Sequence, residues 1–158
     1  MRTSVKKGFS FGLTSGIITT LGLIIGLNSS THSKLVIIGG ILIIAVADAL
    51  SDSFGMHISE EYEIKHSLKE IWESTIATFL SKFVFALSFV IPIILFTLST
   101  AIIISIIWGL SLISIFSYFI AKKERRKPSK IVIGHLFMAV LVIIITHYLG
   151  KFVVKFFS

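Results

Sequence analysis

The hydrophobic positions of this chain fall into long runs separated by short polar stretches. A helix that crosses a bilayer needs roughly 20 apolar residues at a rise of about 1.5 Å each. The first run covers about 8–27 and ends in the polar "NSSTHSK". The second covers about 35–58 and is followed by an acidic, amphipathic connector, "EEYEIKHSLKEIWE". The apolar region 74–121 is too long for one span. It divides at "TLST" into helices of about 74–96 and 101–121. After "KKERRKPSK" a fifth run covers about 131–150. The pattern predicts an all-α integral membrane bundle of five transmembrane helices, one domain over 1–158, without an internal repeat or a soluble domain.

Composition supports the same class. The chain is 54% hydrophobic with a mean hydropathy of +0.96. A soluble domain of this size has too little interior to hide so much apolar side chain. With no cysteine, a disulfide framework and a thiolate metal site are excluded. The net charge of +7 does not point to nucleic acid, because the basic residues gather at "MRTSVKK" and "AKKERRKPSK", both flanking apolar runs. There they orient a membrane protein: the N-terminus is expected in the cytoplasm and the C-terminus outside. The start is not expected to be a cleavable signal peptide, since its apolar run is too long. The expected location is the inner (plasma) membrane of a prokaryote or a vacuolar-type membrane of a eukaryote.

The first run carries Gly8, Gly12 and Gly16, then Gly22 and Gly26. Small residues at a spacing of four let a second helix approach closely. Gly12 and Gly16 are therefore expected where two helices approach closely, at or near the two-fold axis of a homodimer or against a helix of the same chain.

Acidic residues break the pattern. Seven of the eight fall between Asp48 and Glu73. Asp48 lies near the middle of the second span, and Asp52 follows one turn later on the same helix face. Met56 and then Glu60 or Ser59 continue that face. An ionised carboxylate at the centre of a membrane helix costs roughly 2.5–3.5 kcal/mol even on the lenient insertion scale. Protons, a cation of the protein or a bound metal must offset it. Oxygen ligands from Asp48, Asp52, Glu60 and nearby serines suit Mg, Mn or Fe(II), and the Met56 thioether adds tolerance for softer metals. The connector glutamates, Glu63 among them, lie at the mouth of this stripe and would attract metal. The structural alternative is an ion pair between Lys82, in the third span, and one of the aspartates.

Other polar residues offer less. His57 and His66, near the cytoplasmic mouth of the stripe, could ligate a metal but read first as surface histidines. His32, His135 and His147 lie at helix ends or in a loop. The chain is not expected to be an enzyme: it has no nucleophile elbow, no His-Glu-x-x-His pair and no phosphate-cradling glycine loop. Neither a permanently bound cofactor nor a nucleic acid partner is expected.

The sequence resembles the vacuolar iron transporter family, in the manner of a small member without the cytoplasmic metal-binding domain. "LTSGIITTLGLIIGL" is similar to that family's first-helix pattern of acid-Gly-x-x-Thr-Thr and an apolar run. "DALSDSFGMHIS" is similar to its second-helix pattern, with Ala49, Leu50, Ser51, Gly55 and Ser59 on matching positions. "ATFLSKFVFALSFVIPIILF" has its aromatic run ending in proline, here Pro92, and "THYLGKF" resembles its last-helix ending. The resemblance implies a homodimer with an ion path between first and second helices, and proton-coupled antiport of Fe(II) or Mn(II). Ser15 stands where the family has its first-helix acid, Asp52 at its second-helix methionine, and Met56 at its glutamate. Asp48 replaces a small residue. The expected function is export of a divalent metal ion from the cytosol in exchange for protons. The metal ligands would be Asp48, Asp52, Met56, Glu60 and Glu63, with Ser15 facing them. The alternative is a non-transporting membrane scaffold with a structural Asp–Lys82 ion pair.

Overall fold

The computed structural model describes residues 2–63 and 66–157. It is an all-α bundle: α1 (Thr3–Thr31), α2 (Lys34–Glu61), α3 (Leu68–Ser88), α4 (Val90–Leu95), α5 (Leu98–Lys123) and α6 (Pro128–Phe157). Taking Leu68–Leu95 as one interrupted span, five helices are long and apolar enough to cross a membrane. Each outruns its apolar run, because flanking polar residues continue the backbone hydrogen bonding. Half of the expected connector is therefore helix: α2 continues to Glu61 and α3 begins at Leu68. Lys65 and Ser158 lie outside the described residues.

Local chemistry sets the ends. Ser33 caps α2 by accepting from the Val36 amide, and Ser67 and Glu70 form a reciprocal capping box at the start of α3. At the end of α1, His32 takes a left-handed conformation with φ of 50°, and its amide bonds back to the Asn28 carbonyl. The break at Phe89 precedes Pro92, whose missing N–H and bulky ring disturb the preceding turn. Lys34 closes the far end of α4 by donating to the carbonyls of Ile94 and Phe96, at 3.0 and 3.1 Å. This places a cation on the negative end of a helix.

The centre of the bundle is α1, which packs on α2, α3, α5 and α6. Its core side chains Leu13, Ile17, Leu21 and Ile24 are at most 1% exposed. Its glycines use two edges. Gly8, Gly12 and Gly16 meet α3, and a Cβ on Gly8 would lie 2.1 Å from the Ser74 carbonyl oxygen. Gly22 and Gly26 meet Val142 and Thr146 of α6, where a Cβ on Gly150 would lie 2.5 Å from the Gly26 carbonyl oxygen. The close approach expected at Gly12 and Gly16 is present, and the neighbour is a helix of the same chain rather than a second copy. The close approach they permit is taken by α3 of the same chain, whose Ser74, Thr78 and Ser81 are small enough to meet it. Apolar side chains such as Leu42, Ile43, Ile107 and Phe137 point outward, as lipid-facing positions would.

Candidate functional site

Three helices place polar side chains at one point inside the bundle. On α2 the fully buried stripe runs through Ile37, Ile41, Ala45 and Ala49 to Ser53, Met56 and Glu60. Asp48 and Asp52 sit one residue to the side of this stripe, at its edge. Their side chains keep 32% and 24% exposure. Asp48 is 14 residues past Lys34 and 13 before Glu61, the middle of α2. α3 supplies Lys82, whose side chain is 2% exposed. α1 supplies Ser15.

These groups contact one another. The Lys82 ammonium lies 2.6 Å from Asp48 Oδ2 and is hydrogen-bonded to Asp52 Oδ2. It also donates to Ser15 Oγ at 3.0 Å, and Ser15 Oγ donates to Asp52 Oδ2 at 2.6 Å. Gly16 is what lets α3 come this near: a Cβ there would stand 3.1 Å from Lys82 Cγ. Of the residues expected as ligands, Asp48, Asp52 and Ser15 are brought together. The Lys82 pairing weighed as the structural alternative is present, and it engages both aspartates rather than one. The centre therefore carries two carboxylates and one ammonium, a net charge of one negative when all three are ionised.

Met56 and Glu60 are buried further along α2. Glu60 is eight residues from Asp52, about 12 Å along the helix axis. It belongs to a second cluster with Glu63, His66 and Lys7. Glu60 Oε1 lies 2.6 Å from Lys7 Nζ, and Glu60 Oε2 lies 2.6 Å from His66 Nδ1. Glu63 lies 2.9 Å from Lys7 and 3.3 Å from His66 Nε2. The Lys7 hydrogen bond, with its charge second, holds the Glu63 carboxyl below the usual carboxylate range. Read one at a time, His66 is a surface histidine that could ligate and Lys7 is a membrane flank. The signal for their cluster was the step of three from Glu60 to Glu63 to His66.

Four of the remaining acids and histidines tie helices together. Glu73 accepts from Arg2 at 2.7 Å and from Ser4 at 2.8 Å, tying α3 to the start of α1. His57 bonds Thr75 at 3.0 Å and meets Trp72 edge-on, linking α2 to α3. His135 bonds Ser117, and His147 bonds Ser29, each at 2.7 Å, fastening α6 to α5 and α1. No family model, curated protein or solved structure matches the chain.

Proposed function

We propose that the chain is a divalent metal ion transporter, exporting Fe(II) or Mn(II) from the cytosol against protons through the centre at Asp48 and Asp52. One observation carries this reading: two carboxylates and a hydroxyl from two helices converge on a single ammonium in the middle of the bundle. The ammonium occupies the place a dication would take, so the two compete for the same oxygens. A dication arriving at Asp48 and Asp52 displaces Lys82, which gives up one proton to water at the face of the bundle. The centre changes from one net negative charge to neutral, so the exchange is electrostatically feasible in low dielectric. The Asp48 and Asp52 side chains, open at the edge of α2, are where the ion would approach. The resemblance to vacuolar iron transporters supports the same reading, and a homodimer is part of it. A second copy against the open edge of α2 would complete the ion path.

The test is uptake of Mn(II) into proteoliposomes under an imposed pH gradient. The expected result is uptake that collapses when the gradient is dissipated, together with proton movement in the opposite direction. Absence of uptake in liposomes containing correctly folded protein would refute the proposal.

The same reading puts the basic end of the bundle, with Lys7 and the 124–127 loop, in the cytoplasm. A C-terminal reporter that works only in the cytoplasm is expected to be silent, and one that works only outside is expected to be active. The reverse pattern would overturn the orientation.

The complete engagement of Lys82 by both aspartates also favours a second reading, a membrane scaffold in which these groups form a structural ion triad and nothing is moved. Mn(II) uptake by the single aspartate variants, argued below, separates the two.

A further inference from the structure

Glu60 is the most deeply buried carboxylate among the described residues, at 0% exposure. It stands in the last turn of α2, where the bundle meets the connector. Neither of its oxygens accepts an aligned hydrogen bond, although both are sealed from solvent. The Lys7 ammonium stands 2.6 Å from Glu60 Oε1 as its counter-charge and also donates to Glu63 at 2.9 Å. His66 Nδ1 faces Glu60 Oε2 at 2.6 Å and is equally sealed. A buried carboxylate held by ion-pair contacts, with no hydroxyl or amide donor to it among the described residues, is a costly arrangement. Two such groups aimed at each other, with a third ligand beside them, ask for a cation between them.

We infer that Glu60, Glu63 and His66 form a metal site for a first-row transition-metal dication, separate from the aspartate centre and guarded in the metal-free chain by the Lys7 ammonium. Ligand atoms of all three lie within 4.8 Å of one another. Two ligands at about 2.1 Å from one ion stand at most about 4.2 Å apart, so small side-chain movements close the site without moving a helix. The donor set chooses the metal. Two carboxylates and an imidazole suit Mn, Fe, Co or Zn, whereas Mg and Ca prefer oxygen alone. Three protein ligands leave coordination positions for water, so a bound ion stays exchangeable. Lys7 acts as the stand-in: metal binding replaces its charge and sends the ammonium to solvent, its side chain being 43% exposed already. The site does not depend on transport, since the chain can bind metal here and move none.

The experiment is titration of the purified full chain in detergent with Mn(II), followed by electron paramagnetic resonance, and with Co(II), followed by its visible absorption. The Asp48→Asn, Asp52→Asn, Lys82→Met triple variant, in which no ammonium is stranded, serves as a background without the aspartate centre. In the parent, one site is expected whose Mn(II) signal shows coupling to an imidazole nitrogen. His66→Ala is expected to remove that coupling and weaken binding at least about tenfold, and Glu63→Gln to weaken it comparably. Lys7→Met is expected to tighten binding, because the competing ammonium is gone; an ion-pair network with no metal role predicts no such gain. Glu60→Gln is expected to abolish the site. Should that buried change unfold the chain, the half-exposed His66 and exposed Glu63 and Lys7 variants decide. Binding unchanged in His66→Ala, or a Lys7→Met chain that takes up no more metal than the parent, would overturn the inference. Loss of pH-driven uptake with this binding intact would instead count against the transport reading alone.

Discussion

Replacing both aspartates at once, Asp48→Asn with Asp52→Asn, is expected to destabilise the protein by about 3–5 kcal/mol, and adding Lys82→Met is expected to restore most of that loss. The Lys82 side chain is 2% exposed, and its ammonium is held by Asp48, Asp52 and Ser15. With both charges removed it is stranded in an apolar interior, which is the expensive half of breaking a buried ion pair. Each single variant behaves differently. Asp48→Asn leaves Asp52 bound to the ammonium and to Ser15. Asp52→Asn leaves Asp48 at 2.6 Å. Either single variant should therefore stay folded, since it leaves a one-to-one pair and removes surplus charge. Transport is the readout that separates the readings. If the centre holds metal, Asp52→Asn takes away an anionic ligand without changing volume, and pH-driven Mn(II) uptake should fall by at least about tenfold. If the triad is only structural, nothing is moved, and neither the parent nor the singles show pH-driven uptake. Thermal unfolding in detergent and uptake in liposomes, measured on the two singles, the double and the triple, give the answer. A double variant as stable as the parent would show that the ammonium is not held by these carboxylates. Undiminished uptake in Asp52→Asn would remove Asp52 from the ion path.

Gly12→Ala, like Gly8→Ala, should be among the most damaging single-carbon changes in α1. The added Cβ would stand 2.2 Å from Ser81 Oγ and 2.3 Å from the Thr78 carbonyl oxygen. The serine hydroxyl can rotate away, but the carbonyl is helix backbone and cannot. α1 and α3 must separate. Separation weakens the Thr78 hydroxyl bond to the Gly8 carbonyl, now 3.2 Å, and shifts Lys82 relative to Ser15. Overpacking of this kind costs about 1–3 kcal/mol, and more where backbone is the obstacle. Gly39→Ala and Gly55→Ala are the controls, because a Cβ at either meets nothing within 4 Å. There alanine should be neutral or stabilise by up to about 1 kcal/mol through helix propensity. The measurement is the unfolding midpoint of all three variants in one detergent. A Gly12→Ala chain as stable as the Gly55→Ala chain would show that the α1–α3 contact is looser than drawn.

The five spans were legible because a bilayer imposes a length on apolar runs, and the chain has five runs that meet it once 74–121 is divided at "TLST". Helix ends were less legible: hydropathy marks where lipid stops, whereas hydrogen bonding carried α2 on to Glu61 and α6 on to Phe157. The break at Phe89, ahead of Pro92, went unread for the same reason, since both sides of it are apolar.

The sequence by itself determined that Asp48 and Asp52 share a helix face near the middle of α2, because the α-helical repeat converts a spacing of four into one direction. It also determined that these charges need a counter-ion, because lipid offers none. Only the tertiary structure decided which counter-ion they have. Lys82 and Ser15 lie 30 and 37 residues from Asp52, and no local periodicity relates three different helices. The same holds for the glycines. Their spacing announced a close contact, but a stripe of small residues looks alike whether the partner is α3 or a second chain. His66 meets Glu60 from beyond the end of α2, and the steps of three through Glu63 only hint at that meeting. What a periodic pattern can encode was present along the chain; the meeting of distant side chains depended on how α1, α2 and α3 pack.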